Sequence, residues 1–207
     1  MIRTIAALFC RADSIYKEMP GVDVWDQDRN ALKWPGGCPI VAHPPCRLWA
    51  TLRKWSKAPA EEKQLGLWAV EQVRTYGGVL EHPAHSTLWQ AADMAGPGRR
   101  DNRGGFTVAA PQWWWGHRAE KWTWFYIVGV EPPAIPAIPL RIGRAERVIT
   151  NCRGIFAGDR RFRSEVTKRE RDATTPALAD WLVEIARLSL VSAGNPLVTP
   201  GGREDVA

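Results

Sequence analysis

Short apolar segments alternate with helical segments along most of this chain, and that alternation restricts the fold more than any other feature. Apolar and β-branched runs predict strands at residues 4–9, 22–25, 39–43, 79–83 and 122–130. Helical spacing predicts helices at residues 12–19, 60–75 and 175–190. Strands separated by helices favour a mainly parallel sheet with helices on both faces. The sequence therefore predicts one α/β domain over residues 1–190.

Composition agrees with a folded intracellular domain. The 207 residues suit a single domain, and the sequence contains no apolar run long enough to cross a membrane. The four cysteines form no Cys-x-x-Cys pair, and the first residues do not form a secretion signal. We therefore expect free thiols and a cytoplasmic location. Residues 191–207 are rich in Gly and Pro and predict a disordered tail.

Two features of the composition suggest a nucleic acid. The net charge is +6, and residues 141–171 form a basic segment that can neutralise phosphates or, alternatively, form a solvated surface. The chain also contains 12 Trp residues, which fill a core or offer stacking surfaces for bases.

Chemically distinctive residues follow four of the predicted strands. They are Cys10, the pair Asp26 and Asp28, the segment 43–46, and the segment 81–83. In open α/β sheets, ligands bind beyond the carboxyl ends of the parallel strands. We therefore expect these residues to border one site.

Cys46 and Glu81 are the strongest candidates for chemistry at that edge. Two prolines hold Cys46 rigidly after its strand, and Arg47 beside it is expected to lower the pKa of the thiol and favour a nucleophilic thiolate. Glu81 is also followed by a proline. In a semi-buried cleft its pKa is expected to be raised, so that it can donate a proton.

These strand ends carry a family resemblance. AHPPCRLW (42–49) and LEHP (80–83) resemble the APPC-type and ENV-type strand ends of C5-cytosine DNA methyltransferases. WWWGHRAEKWTWFYIVGV (113–130) and ATTPALADWLVEIA (173–186) are similar in layout to two later blocks of that family, in the same order. Small phage and prophage methylase-like proteins with an AHPPC motif and an ENP- or EHP-type motif are the most similar in pattern, and a phage-encoded chain would lie in the host cytoplasm. The resemblance implies a Rossmann-like class I methyltransferase fold with a reduced target-recognition region, in which 141–171 is a basic insert or a minimal recognition segment.

The resemblance also implies roles for individual residues. Cys46 would attack C6 of a pyrimidine and Glu81 would hydrogen-bond N3, while C5 would accept a one-carbon group from S-adenosylmethionine. The substrate would be DNA, either single-stranded or with a flipped base. The implied cofactor-binding residues are Phe9, Cys10, Asp26, Asp28, Pro45, Thr174 and Pro176. The resemblance implies Arg118 and Lys121 as substrate-binding residues, and the basic segment adds Arg161 and Arg163. Arg47, His82 and His117 are further candidates to contact the substrate or nucleic acid.

The chain departs from the family pattern at several points. The glycine-rich turn expected after the first strand is replaced by residues 8–13, LFCRAD. His82 stands in place of the Asn of the ENV-type motif, and Lys121 and Thr123 replace a pair of arginines.

Three alternatives remain open on the sequence alone. His43, Cys46, His82 and His85 form two pairs with a two-residue spacing that supply four nitrogen and sulfur ligands for zinc. The second alternative is a nucleic-acid-binding module that has lost catalysis. The third is an enzyme that modifies C5 of a free pyrimidine nucleotide.

Overall fold

The computed structural model describes residues 3–151 and 155–190. A six-stranded sheet forms its centre. The strands are β1 (Ile5–Cys10), β2 (Val22–Asp26), β3 (Ile40–Ala42), β4 (Gly78–Pro83), β5 (Phe106–Pro111) and β6 (Trp122–Val128). The helices are α1 (Lys63–Tyr76), α2 (Leu88–Ala91), α3 (Lys168–Asp172) and α4 (Pro176–Leu188).

The sheet is mostly parallel. Its strand order is β2-β1-β3-β4-β6-β5. Parallel pairing joins β2 to β1, β1 to β3 and β3 to β4, whereas β6 is antiparallel to both β4 and β5. Only β6 therefore runs against the other strands, and the carboxyl ends of β1–β4 meet at one edge.

The sheet separates two apolar layers, because successive side chains of a strand point to opposite faces. Helix α4 packs on the face that carries Val41 and Val79. Helix α1 packs on the opposite face, which carries Ile40 and Leu80. The predicted mainly parallel sheet with helices on both faces is thus confirmed.

Two predictions about individual elements were wrong. Residues 12–19 do not form a helix; only a single 3₁₀ turn occurs there, at Ile15–Glu18, because the chain returns at once through Pro20-Gly21 into β2. Strand β5 was missed. Its sequence, FTVAAP, has little intrinsic β propensity after Val108 and depends on pairing with β6 along its whole length.

The basic segment contains little regular structure in its described part. An isolated bridge joins Val148 to Glu165, and α3 begins with a capping box between Thr167 and Glu170. No helix in the ranges 3–151 and 155–190 is long and apolar enough to span a membrane. Cys152 and the predicted tail 191–207 lie outside the described residues.

Candidate active site

Sheet register places His43 beside Glu81 at the carboxyl edge. Ala42 of β3 pairs with Leu80 of β4, so the next residue of each strand reaches the same level of the edge. A turn begins at Cys46, whose carbonyl accepts hydrogen bonds from the amides of Trp49 and Ala50, and Cys46 itself is exposed to solvent. Cys46 follows the end of β3 in the adjoining loop, and Glu81 lies two residues before the end of β4, so both stand at the carboxyl ends of neighbouring strands.

Hydrogen bonds fix the Glu81 carboxylate from two sides. His43 Nδ1 lies 3.0 Å from Oε2, and Gln112 donates from Nε2 to Oε1 over 2.6 Å. Gln112 Nε2 also donates to Thr123 Oγ1 at 3.1 Å. On the far side of the imidazole, the Tyr16 hydroxyl lies 2.9 Å from His43 Nε2. A continuous chain of polar contacts thus runs from Tyr16 to Thr123 through the carboxylate.

Glu81 is ionised, contrary to the expectation of a raised pKa. Burial alone raises the pKa of this carboxyl, but the positive charge of Lys121 and the hydrogen bond and charge of His43 outweigh burial and bring the pKa to about 2. At neutral pH, Glu81 therefore accepts hydrogen bonds and has no proton of its own to donate.

The pKa of the Cys46 thiol is raised, whereas the sequence predicted a lowered pKa. Enough protein surrounds its thiol that burial raises the pKa, and the negative charge of Glu81 adds to the increase, while Lys121 opposes it. Arg47 interacts with the thiol but does not bring its pKa below the ordinary value as predicted, and its guanidinium is paired with the carboxylate of Glu62. At rest, the site therefore combines a neutral thiol with an ionised carboxylate.

A cleft of about 430 Å³ opens at the carboxyl ends of β1, β2 and β3. Four of the residues predicted to bind the cofactor line it, together with Arg47. Its lining is Phe9, Cys10, Asp26, Gln27, Asn30, Ala31, Pro45, Arg47, Glu62 and Leu65. Burial raises the pKa of Cys10 to about 12, so this thiol is neutral.

The backbone at this cleft is unusual. Phe9 has φ = +60° and forms a bulge at the end of β1, where the register with β2 shifts. Asn30, also in the lining, has φ = +57°, and Lys121, whose charge acts on Glu81, has φ = +40°. Residues other than glycine adopt such angles at an energetic cost, and they concentrate at functional sites.

Asp26 is buried at the end of β2 and is already hydrogen-bonded. Its Oδ2 lies 2.7 Å from Lys17 Nζ, and its Oδ1 accepts from the amides of Asp28 and Arg29 at 3.2 Å each. The bond from Lys17, followed by those from the backbone, lowers the pKa of Asp26. Asp28, Thr174 and Pro176 are outside the described lining of the cleft, and the last two lie at the start of α4.

His117 and Arg118 are occupied by contacts within the chain. His117 is buried, with its ring nitrogens 2.8 Å from the carbonyl of Ala119 and 3.1 Å from that of Glu170. Arg118 donates to the carboxylates of Glu146 and Glu170. These two side chains link the segment after β5 to the start of α3.

His82 lies on the opposite face of β4 from Glu81. It is 1% exposed, neither ring nitrogen has a hydrogen-bond partner, and its ring packs edge-on to Trp89. Burial lowers its pKa to about 4, against the smaller opposing effect of Glu81. Among the described residues no three His, Cys, Asp or Glu side chains are grouped to hold a metal, so His43, Cys46, His82 and His85 do not form the four-ligand cluster of the zinc alternative.

The predicted nucleic-acid arginines of the basic segment are paired with acids. Arg163 contacts Glu120 at 3.1 Å, and Arg161 contacts Asp159 at 2.7 Å. A different set of cations follows Cys46, around the 3₁₀ turn Thr51–Trp55. Lys54 and Lys57 have no acidic partner within ion-pair distance in the described chain, and the side chain of Trp55 is 73% exposed.

Sequence reasoning missed Tyr16, Gln112 and Thr123 as parts of the site. Gln112 follows Pro111 at the end of the unrecognised strand β5, and Tyr16 lies in a segment wrongly predicted to be a helix. The usable signal was a polar Gln between Pro111 and three tryptophans, where an apolar residue would pack equally well.

No protein-family model matches the chain, and searches of curated proteins and of solved structures found no match.

Proposed function

We propose that the chain is an S-adenosylmethionine-dependent methyltransferase that modifies C5 of a pyrimidine in DNA through a covalent adduct with Cys46. One observation carries the proposal: Cys46 and the anchored, ionised Glu81 occupy neighbouring strand ends, next to a separate cleft at the ends of β1 and β2. Two adjoining sites are what a reaction between a base and a second small molecule requires.

The cleft supports the cofactor part of the proposal. Its volume of about 430 Å³ lies in the range of small-molecule sites. Phe9 supplies the left-handed backbone for which glycine is usually selected, and Oδ2 of Asp26 retains acceptor capacity for a sugar hydroxyl beside its bond to Lys17. When bound, S-adenosylmethionine supplies an electrophilic methyl group.

The chemistry of the chain's own residues follows from their charges. Cys46 gives its proton to solvent, to which it is exposed, and its sulfur forms a bond to C6 while the C5=C6 π electrons move toward C5 and the ring. Lys121 favours the thiolate through its positive charge. Glu81 accepts a hydrogen bond from N3 as N3 gains a proton, and C5 would accept the methyl group that the bound cofactor supplies. Loss of the C5 proton to solvent then restores the double bond and expels the Cys46 thiolate, and N3 gives up the proton that it gained.

The charged segment that follows Cys46 in the chain supports a nucleic-acid substrate. Trp55 offers an exposed ring, and Arg53, Lys54 and Lys57 surround it within one short segment. Stacking on an aromatic ring contributes about 1–3 kcal/mol per base, and cations retain the phosphates. A short segment of this kind suits a single strand or a flipped base better than sequence-specific reading of a duplex groove.

Calorimetric titration with S-adenosylmethionine tests the cofactor assignment. We expect saturable binding by the parent, and binding about tenfold weaker in Asp26→Asn, since one charged acceptor is lost. Glu18→Gln alters an exposed carboxylate outside the cleft and serves as the control. Absence of binding by the parent would overturn methyl transfer. Conversion of dCMP or dUMP, but not DNA, would overturn the polymer substrate.

A further inference from the structure

The carboxylate chemistry of the site lacks a proton donor. N3 of cytosine is an acceptor, so it must gain a proton, or a large share of one, as the sulfur–C6 bond forms. Glu81 is ionised and brings no proton. Within the described chain no hydrogen bond joins Cys46 to Glu81, so the thiol proton is not transferred directly to the carboxylate. Of the two described side chains that hydrogen-bond to Glu81, Gln112 is an amide, whereas the imidazole of His43 has ring nitrogens that can accept and release a proton.

We propose that His43 supplies this proton to Glu81 and recovers it after the reaction, with Tyr16 holding the imidazole in place. The proposal rests on the proposed function and adds two positioning residues that the family resemblance does not require. Its basis is the linear arrangement of the three groups, in which the hydroxyl oxygen, the imidazole and the carboxylate are joined by contacts of 2.9 and 3.0 Å.

In the proposed starting state both ring nitrogens of His43 carry a proton, so that Nδ1–H donates to Glu81 Oε2 and Nε2–H donates to the Tyr16 oxygen. As the sulfur–C6 bond forms, the Nδ1 proton passes to the carboxylate and from it to N3, which leaves a neutral His43 that keeps Nε2–H. When the adduct collapses, the proton returns along the same path. No other reactant is needed.

Tyr16 is suited to this role because it cannot exchange its own proton. It is 1% exposed, and burial raises the pKa of its hydroxyl well above the ordinary value. Its oxygen therefore remains a neutral acceptor for Nε2–H, and only Nδ1 takes part in proton transfer. The ring of Tyr16 also lies against the imidazole, with centroids 5.5 Å apart.

Other charged and titratable groups surround this pair and affect its proton. Those on neighbouring elements that act on Tyr16 or Glu81 are Cys10 at the end of β1, His82 on β4, Lys121 before β6 and Asp180 in α4, and Cys46 lies in the same loop as His43. Lys121 is the principal positive charge among them: it lowers the pKa of Glu81 and so keeps the proton from resting on the carboxylate on its way to N3.

The pH profile of adduct formation tests the relay. Cytosine C5 is fluorinated in a single-stranded oligonucleotide, and adduct yield is measured by intact mass from about pH 5.5 to 8.5 with S-adenosylmethionine present. In His43→Gln, we expect the yield at high pH to fall at least about tenfold and to recover toward the parent at low pH, where solvent supplies the proton. Tyr16→Phe should show a smaller loss of the same shape, and His85→Gln, an exposed histidine, should follow the parent. An equal loss at every pH would overturn the relay.

A second measurement separates the relay from the proposed function. In ¹⁵N-labelled protein, a downfield Nδ1–H proton of His43, hydrogen-bonded to a carboxylate, should be present in the parent and lost in Glu81→Gln. If the parent forms no adduct but shows this signal, the proposed function fails and the proton-sharing pair stands. Absence of the signal from the parent overturns the relay whatever the activity.

Discussion

Gln112 Nε2 lies 2.6 Å from Glu81 Oε1, a contact that brings the end of β5 onto the carboxylate of β4 across the intervening strand β6. The Gln112 side chain is buried, and its Oε1 has no hydrogen-bond partner. A buried polar group with one unmet acceptor persists where its other atoms have a function. Its amide nitrogen serves that function by fixing the carboxylate.

The Gln112–Glu81 contact predicts a measurable coupling energy. Gln112→Leu should lower the free energy of unfolding by roughly 1.5–3 kcal/mol at neutral pH, since it removes the hydrogen bond to a charged group. In a double-mutant cycle with Glu81→Gln, the two losses should fail to add by about 1 kcal/mol or more. Urea denaturation provides the measurement, and Gln90→Leu, at an exposed position, is the control. Additive losses would mean that the contact contributes nothing.

His82 predicts that stability is lost in mild acid. Its pKa is about 4 in the folded chain against an ordinary value of 6.5, so the unfolded chain binds more protons between these limits and stability falls as the pH drops through them. Between about pH 7.5 and pH 5, protonation of His82 should lower the free energy of unfolding of the parent by roughly 2 kcal/mol, and His82→Leu should lack this decrease. Urea unfolding at both pH values measures it, with His85→Leu as the exposed control. Equal pH dependence in the parent and His82→Leu would contradict the buried neutral state.

A second acid transition follows from Glu81. Its pKa of about 2 lies below the ordinary 4.5, so its contribution to stability is present above pH 4.5 and is lost as the pH falls toward 2. Glu81→Gln should therefore flatten the stability profile in this lower window and leave the loss caused by His82 in place. Loss of both windows in Glu81→Gln would show that the two groups titrate as a unit.

The backbone angle of Phe9 predicts an inverted order of stability for two substitutions. In an ordinary strand, glycine is less stable than alanine by roughly 0.5–1 kcal/mol. At φ = +60° an L-residue pays about 1–2 kcal/mol, so Phe9→Gly should be the more stable of the pair Phe9→Gly and Phe9→Ala. Both lose the edge-on ring contact with Trp68, so the comparison isolates the backbone. Thermal unfolding decides it, and a more stable alanine variant would contradict the left-handed angle.

Reversing two charges in each of two segments tests whether nucleic acid binds the segment that follows Cys46, around Thr51–Trp55, or the basic segment 141–171. Lys54→Glu/Lys57→Glu should weaken binding of a single-stranded oligonucleotide by about tenfold or more and reduce the salt dependence by about one released counterion or more. Arg141→Glu/Arg144→Glu makes the same change of net charge in the exposed part of the basic segment and should have the smaller effect. Fluorescence anisotropy at two salt concentrations measures both. If Arg141→Glu/Arg144→Glu weakened oligonucleotide binding more than Lys54→Glu/Lys57→Glu, residues 141–171 would be the nucleic-acid-binding surface instead.

The positions of Cys46 and Glu81 near strand ends could be predicted from the sequence, whereas the directions of their pKa shifts could not. Cys46 and Glu81 follow apolar runs that stop at prolines, and such stops mark strand ends in any fold. The pKa directions depended on Lys121 and on the pairing of Arg47 with Glu62, contacts set by tertiary structure. Gln112 was missed because β5 depends on pairing with β6 more than on the intrinsic β propensity of its own residues.

Trapping of Cys46 on a fluorinated base tests the central claim most directly. With fluorine at C5 there is no proton to lose, so an enzyme that attacks C6 and transfers a methyl group cannot eliminate the adduct. Intact-mass analysis should show the parent and Cys38→Ser joined to 5-fluorocytosine DNA in the presence of S-adenosylmethionine, and Cys46→Ser free of it. No adduct with the parent, or an adduct that persists in Cys46→Ser, would contradict the assignment of Cys46 as the nucleophile.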